Sequence, residues 1–199
     1  NFDVPLVVKP YINNNQIITI NEKNQILIFS LKTGEIISSN KIDYDFENKL
    51  SVYGSLVKSN DNIFLASYFG NIFSVNIYDS RINWFERGYN QIYTSPKFDK
   101  DNLIITDASG KIRSYNKLSG SLLWKYDIKL LINKDLIIMD DFIIISSEVG
   151  KLFFIDKKTG NLISSYHTKG RIVSIEKITD SHIIIVNDFK KMALFEIKK

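Results

Sequence analysis

The sequence predicts an all-β fold built from a repeated unit of about 40 residues, and three observations carry this prediction. Similar turns recur along the 199-residue chain at a nearly constant interval. Valine, isoleucine, tyrosine and phenylalanine, which favour strands, are abundant, whereas alanine is scarce. No longer segment shows the 3.6-residue apolar period of an amphipathic helix.

The repeat is anchored on turns that contain glycine. Gly70, Gly110 and Gly150 are spaced by 40 residues, Lys190 follows after 40 more, and Asn24 stands 46 residues before Gly70. Glycine preceded by Asn, Asp, Ser or Thr is typical of turns that need a positive φ. A second turn lies ten residues after each of the first four, at Gly34, Ser80, Gly120 and Gly160.

Four short apolar runs accompany the two turns of each unit. One run precedes the first turn, as in NLIIT, and a second follows it, as in KIRSYN. A third run follows the second turn, as in SLLWKYDI, and a fourth precedes the unit, as in IYTSPKF. The runs are rich in β-branched and aromatic residues and read as strands. In the first unit they predict strands near 5–10, 15–20, 25–30 and 35–42.

Antiparallel four-stranded units at this period are typical of β-propeller blades. One such sheet buries little apolar surface, so each blade must stack against its neighbours. The register predicts four blades and a fifth that lacks its outermost strand. Because eight blades would need about 320 residues, we expect part of an eight-bladed propeller, with more than a third lying upstream. The blades cover approximately residues 1–43, 44–89, 90–129, 130–169 and 170–199.

The second turn of each unit carries a motif of its own. In YNKLSGSLLW, Asn116 stands four residues before Gly120, and Trp124 stands four residues after it. Asp156 and Gly160 repeat the first two positions in the next unit. We expect the short polar side chain to accept hydrogen bonds from the turn, the glycine to take the left-handed conformation, and the indole to cover the edge of the neighbouring blade.

This spacing resembles the tryptophan-docking motif of PQQ-like repeats, Ala-x-Asp-x-x-x-Gly-x-x-x-Trp. The preceding unit keeps Trp84 but has Ser80 in the glycine position. Ser38 and Ser164 stand in place of the tryptophan in two other units. We expect the blades with these departures to dock more loosely.

Within the PQQ-like repeat propellers the chain resembles the C-terminal part of the BamB family of outer-membrane-protein assembly lipoproteins. The resemblance covers nearly all of the chain and rests on FLASYFGNIFSVNIYDSRINW and TSPKFDKDNLIITDASGKIRSYNKLSGSLLW. It implies a non-enzymatic scaffold for the assembly of β-barrel proteins into the outer membrane. It also implies a periplasmic location, with a lipidated cysteine upstream of this chain as the only membrane anchor.

A loop that breaks the register is the predicted partner surface. The first interval exceeds 40 by six residues, near YDFENKLSVYG at 44–54, and insertions in regular arrays usually map to surface loops. The resemblance implies contact with a BamA-like barrel-forming subunit through this loop and residues 1–5; unfolded outer-membrane clients are a further candidate partner. The family tends to have an arginine where Pro5 stands and an acidic pair where Ser51 and Tyr53 stand. The predicted partner-binding residues are Phe2, Val4, Asp45, Phe46, Glu47 and Tyr53.

The sequence predicts no catalytic, metal-binding or cofactor-binding residue. Cysteine is absent, and the two histidines, His167 and His182, lie in different units without metal-ligand spacing. The carboxylates at 99–101 and 140–141 precede strands, where capping a turn is the simpler interpretation. No nucleophile elbow or phosphate-binding loop is present. The net charge of +4 is scattered, without the basic stripe of a nucleic-acid-binding protein.

Two other functions remain open at the level of sequence. The chain could be a fragment of a periplasmic PQQ-dependent dehydrogenase whose active site lies on other blades, or a general protein-interaction propeller. The inserted loop could also be merely tolerated, without a partner. Upstream sequence would discriminate the functions, because a lipobox cysteine supports the scaffold, whereas vicinal cysteines with calcium ligands support the dehydrogenase.

Overall fold

The computed structural model describes residues 8–43, 52, 55–87, 90–132, 134 and 136–197. Within these residues the chain forms nineteen strands and five antiparallel sheets, which follow one another along the sequence. Across the same residues there is no helix with the length and apolar character needed to cross a membrane.

Each sheet is a meander in which consecutive strands pair. The first sheet contains β1 (Tyr11–Ile12), β2 (Gln16–Ile20), β3 (Gln25–Ser30) and β4 (Ile36–Lys41). The second contains β5 (Val57–Ser59), β6 (Asn62–Ala66), β7 (Ile72–Asn76) and β8 (Ile82–Glu86). The third contains β9 (Lys97–Asp99), β10 (Asn102–Thr106), β11 (Lys111–Asn116) and β12 (Leu122–Asp127). The fourth contains β13 (Ile137–Ile138), β14 (Phe142–Ser146), β15 (Lys151–Asp156) and β16 (Leu162–His167). The fifth contains β17 (Ile172–Thr179), β18 (His182–Asn187) and β19 (Met192–Glu196).

These sheets confirm the predicted fold class, an all-β propeller with four-stranded antiparallel blades. Four sheets have four strands, and the fifth has three among the described residues. The first strand of a unit starts later than the sequence suggested: pairing in the first sheet begins at Tyr11, after Pro10, and β9 begins directly after Pro96. The second and fourth sheets have leucine in the place of this proline, yet β5 and β13 begin at the equivalent positions, so the late start is common to the units and does not depend on proline.

The central strands are buried on both faces, which explains their continuous apolar runs. In β6, Ile63 and Leu65 pack toward the first sheet, whereas Phe64 and Ala66 pack toward the third. Successive side chains of a strand point to opposite faces, so a strand held between two neighbours needs apolar residues at every position.

Four apolar clusters lie between successive sheets and form the core. Each sheet therefore completes a core that it could not build alone, as in other stacked repeat proteins. Representative pairs, in order along the chain, are Ile18 with Leu65, Phe64 with Ile105, Ile112 with Phe153, and Ile144 with Ile183.

The two ends of the stacked sheets carry different connections. In a four-stranded meander, the turn between the second and third strands lies at the same end of the sheet as the connection to the next sheet. We call this end the loop end. The N–H group of Ile128 accordingly donates to the carbonyl of Gly110, and that of Thr168 to the carbonyl of Gly150. The turns between third and fourth strands lie at the opposite end, which we call the corner end.

Candidate functional site

Two tryptophans join neighbouring sheets at the corner end. The indole N–H of Trp84 on β8 donates to the carbonyl oxygen of Lys117 at 2.9 Å. The indole N–H of Trp124 on β12 donates in the same way to Lys157 at 3.0 Å. Each acceptor directly follows the third strand of the next sheet, so each indole spans one boundary between sheets.

The glycines of the next corner turn give these indoles room. Gly120 has a φ of +71°, and a Cβ there would lie 2.6 Å from Cδ2 of Trp84. Gly160 has a φ of +74°, and a Cβ there would lie 2.5 Å from Cε3 of Trp124. Both the backbone conformation and the close approach of the ring therefore favour glycine.

A short polar side chain holds each of these turns. The Oδ1 atom of Asn116 accepts hydrogen bonds from the N–H groups two and three residues further on, at 2.9 and 3.0 Å. Oδ1 of Asp156 accepts the equivalent bonds at 2.9 and 2.7 Å, and a third from the Thr159 hydroxyl at 3.0 Å. The bonds from Thr159, with a smaller contribution from Lys158, lower the pKa of Asp156 below its ordinary value.

The boundary between the first and second sheets has serine at both motif positions. Ser80 adopts a φ of +58°, the left-handed conformation that glycine takes in the later turns. Ser38 holds the place of the tryptophan that would pack on this turn. Within the described residues, neither hydroxyl has a hydrogen-bond partner, although both are buried. Looser docking at this boundary stays a prediction.

A buried ion pair also joins the third and fourth sheets. The Nζ atom of Lys157 lies 2.9 Å from Oδ1 of Asp99 and donates to the carbonyl of Met139 at 3.2 Å. The two charged side chains are only 10% and 14% exposed. Sequence reasoning did not find this pair, because Lys157 stands where an earlier unit has Ile77 and looks like an ordinary turn lysine.

The six predicted partner-binding residues, Phe2, Val4, Asp45, Phe46, Glu47 and Tyr53, lie outside the described residues. Described residues that flank their two segments do meet. Lys9 and Ser55 form a parallel bridge, and the buried Val52 forms an antiparallel bridge with Ser67 at the loop end of the second sheet.

Three aromatic residues lie beside that bridge, and we call them the aromatic rim: Tyr68, Phe69 and Tyr93. The ring centroids of Tyr68 and Phe69 are 5.4 Å apart, and those of Tyr68 and Tyr93 are 5.7 Å apart, both edge-to-face. Phe69 remains 53% exposed although it is a large apolar residue. Sequence reasoning missed the rim, yet a signal existed: the corresponding turn of the next unit has Ala108 and Ser109.

Both histidines and several of the described carboxylates take part in local hydrogen bonds and ion pairs. His167 contacts the carbonyl of Thr168 at 2.8 Å, and His182 contacts the hydroxyl of Ser181 at 2.9 Å. Asp101 pairs with a lysine at 2.8 Å. No group of three or more histidines and carboxylates in this part of the chain is arranged to hold a metal ion.

Comparison with known proteins adds a family match and a set of similar folds. A family model described as outer membrane protein assembly factor BamB matches residues 22–187. The search of curated proteins gave no match.

Three solved structures illustrate the similar folds. The computationally designed Ika8 protein has a TM-score of 0.77 at 12% identity; the similarity covers 94% of this chain and 57% of that one. BamB from Moraxella catarrhalis has a TM-score of 0.60 at 14% identity, with 98% and 72% covered. The designed Ika4 protein has a TM-score of 0.67 at 12% identity, with 80% and 97% covered. At these identities the likeness shows the fold alone, and this chain spans little more than half the length of Ika8.

Proposed function

Because the chain belongs to the BamB family of outer membrane protein assembly factors, we propose that it is a non-enzymatic scaffold of the machinery that assembles β-barrel proteins into the outer membrane. The family match over most of the chain is the observation that carries this proposal. The protein would act in the periplasm, attached to the outer membrane through a lipidated cysteine upstream of this chain.

The proposed contact with the barrel-forming, BamA-like subunit lies at the loop end, where the first and second sheets meet. The predicted loops at 1–5 and 44–54 would form it together with the aromatic rim. The bridge between Val52 and Ser67 supports this grouping, because it ties the end of the inserted loop to the turn that bears Phe69. Exposed aromatic side chains can bury a large area at low entropic cost, which suits them to anchor a contact.

Unfolded outer-membrane clients are the second proposed class of partner. A sheet edge with apolar side chains beside it can accept an extended segment through main-chain hydrogen bonds. Extended client segments would associate through main-chain hydrogen bonds of this kind.

Titration against the soluble domains of the barrel-forming subunit tests the proposal. Phe46→Ala and Phe2→Ala should each weaken binding by roughly 1–3 kcal/mol, because truncating an aromatic anchor removes buried contact area. Asp45→Lys should mainly slow association and change its salt dependence. Thermal melts of each variant are the control for folding.

Two results would contradict this placement of the contact. Wild-type affinity in all three variants would show that the partner binds elsewhere. Loss of folding in Phe46→Ala would show that the inserted loop is structural.

A further inference from the structure

A cleft of about 390 Å³ lies on the face of the third sheet that is turned toward the second. Tyr115 on β11 packs on Trp84 of the second sheet, with ring centroids 6.3 Å apart. Arg113 lies two residues before Tyr115 on the same strand and therefore on the same face. The described residues that line the cleft are Lys111, Arg113, Lys125, Tyr126 and Asp127.

Cross-strand pairing concentrates positive charge in this cleft. Arg113 lies directly opposite Lys125 on the neighbouring strand, and Lys111 lies opposite Asp127. Like charges that face each other across a strand pair repel, so the pairing of Arg113 with Lys125 is unfavourable by itself. The lining has three cationic side chains and one carboxylate.

A buried carboxylate under the cleft holds the arginine in place. Oδ2 of Asp107 lies 3.4 Å from a terminal nitrogen of Arg113, and the Asp107 side chain is fully buried. Its other oxygen accepts bonds from the N–H of Ser109 at 3.0 Å, the Ser109 hydroxyl at 2.7 Å and the N–H of Lys111 at 3.1 Å. The turn therefore fixes the carboxylate, and the carboxylate orients the guanidinium.

The neighbouring units show that the fold does not require these charges. In the units before and after, the place of Arg113 is taken by Phe73 and Phe153, which are both buried. In the second sheet the place of Lys125 is taken by Phe85, which stacks on Phe73 with centroids 6.2 Å apart. The same cross-strand pair of positions therefore holds two phenylalanines in the second sheet and two cations in the third.

Among the described residues, one added carboxylate accompanies the two added cations. Asp107 stands where the adjacent units have Ser67 and Ser147, so it compensates one added cation. Lys125, which is exposed, is the second added cation and lies beside the cleft. The exposed Lys125 beside the guanidinium that Asp107 orients offers an anion two adjacent cationic donors, which points to an external anionic group.

We propose that this cleft binds the carboxylate side chains of an acidic segment of a partner polypeptide. Its volume suits a few side chains rather than a folded domain. The cleft opens near the loop end, because Lys111 starts its strand there and Asp127 ends its strand there. The aromatic rim lies at the same end, and Tyr93 belongs to the connection that enters the third sheet.

The inference rests on the proposed function in one respect, since the acidic segment would belong to the protein that contacts the loop end. The charge recognition itself can be tested without that protein. Binding of a fluorescently labelled oligoglutamate peptide to the 199-residue chain, followed by anisotropy at low salt, is therefore the appropriate experiment. A negative result there would leave the contact through the aromatic rim standing, and the reverse also holds.

Lys125→Ala should weaken peptide binding roughly tenfold, because it removes one charge from the cleft. Lys32→Ala is the matched control: it removes the same charge from an exposed corner turn of the first sheet and should leave binding nearly unchanged. Arg113→Phe combined with Asp107→Ser, which restores the residue types of the neighbouring units at both positions, should abolish binding while the chain stays folded.

Equal effects of Lys125→Ala and Lys32→Ala would overturn the proposal, because the attraction would then reflect only net charge. Absence of binding to the wild-type chain at low salt would overturn it as well. Displacement of the peptide by inorganic phosphate, but not by chloride at the same ionic strength, would reassign the cleft to a small oxyanion and so contradict the polypeptide assignment.

Discussion

At Gly160 two constraints exclude a side chain, and they can be measured separately. One is the positive φ, and the other is the indole of Trp124. Gly34 has a φ of +73°, but a Cβ there would meet no atom within 4 Å, so Gly34 carries the first constraint alone. Gly34→Ala should therefore destabilise by about 1–2 kcal/mol, and Gly160→Ala by roughly 1–3 kcal/mol more, in denaturant unfolding.

A double-mutant cycle supplies the control for this prediction. Trp124→Ala removes a largely buried indole and should itself destabilise by about 3–5 kcal/mol. Once the ring is gone, Gly160→Ala should cost no more than Gly34→Ala, so the two changes should not add. Strict additivity of Trp124→Ala and Gly160→Ala would show that the indole does not press on this turn.

At the residue scale, the sequence predicted the members of the corner motif but not their partners. Asn116, Gly120 and Trp124 are recognisable because the turn is local and its spacing repeats. The indole N–H of Trp124 donates to the main-chain carbonyl of Lys157. Every residue has such a carbonyl, so the residue type at the acceptor position does not reveal the contact. The distance in sequence between donor and acceptor hides the contact further.

At the scale of elements, breaking the ion pair between Lys157 and Asp99 should lower the stability of the protein, because it leaves one partly buried charge without a partner. Lys157→Met keeps the aliphatic stem but leaves a partly buried carboxylate unpaired, so we expect a loss of about 2–4 kcal/mol in denaturant unfolding. Lys157→Met combined with Asp99→Leu should recover most of that loss, because no buried charge remains.

Lys117→Met is the matched control for the ion pair. Lys117 holds the same place in the preceding unit, but its partner Asp101 is 74% exposed. We expect a change of only about 0–1 kcal/mol there. If the double variant at the boundary were less stable than Lys157→Met alone, the account of an unpaired buried charge would be wrong.

At the scale of elements, the strands that two neighbours cover were the most predictable. QIITI and FIIIS are continuous apolar runs because both faces are buried, and β2 and β14 form there. The first strands begin later than predicted in all the four-stranded sheets, whether or not a proline precedes them. The pairing of Lys157 with Asp99 could not be predicted, since it joins residues 58 positions apart in the sequence.

On the scale of the whole molecule, the two ends of the stacked sheets differ in what they present. The corner end holds adjacent sheets together through indoles and glycine turns. The loop end exposes Phe69 of the aromatic rim and the cationic cleft of the third sheet. A stack whose sheets are fixed at one end can hold loops at the other end in a defined arrangement, which is what a scaffold requires.

The repeat made the blade architecture predictable, because each unit gives independent evidence for the same structure. The surface residues that distinguish one unit from another do not repeat, so they gave no such evidence. A turn that recurs four times is evidence for a common packing solution, but an exposed Phe69 or a single Arg113 departs from the repeat and occurs once. These departures are visible in the sequence, but only the strand register of the structure shows that Arg113 faces Lys125. The predicted partner loops at 1–5 and 44–54 stay a prediction.

The most direct measurement of the central claim is calorimetric titration of the soluble domains of the barrel-forming subunit with the wild-type chain, Phe69→Ala and Tyr78→Ala. Phe69 and Tyr78 are similarly exposed, at 53% and 56%, but lie at the loop end and the corner end of the same sheet. We predict binding to the wild type, a loss of roughly 1–3 kcal/mol for Phe69→Ala, and little change for Tyr78→Ala. Absence of wild-type binding, or an equal loss in the two variants, would contradict the account.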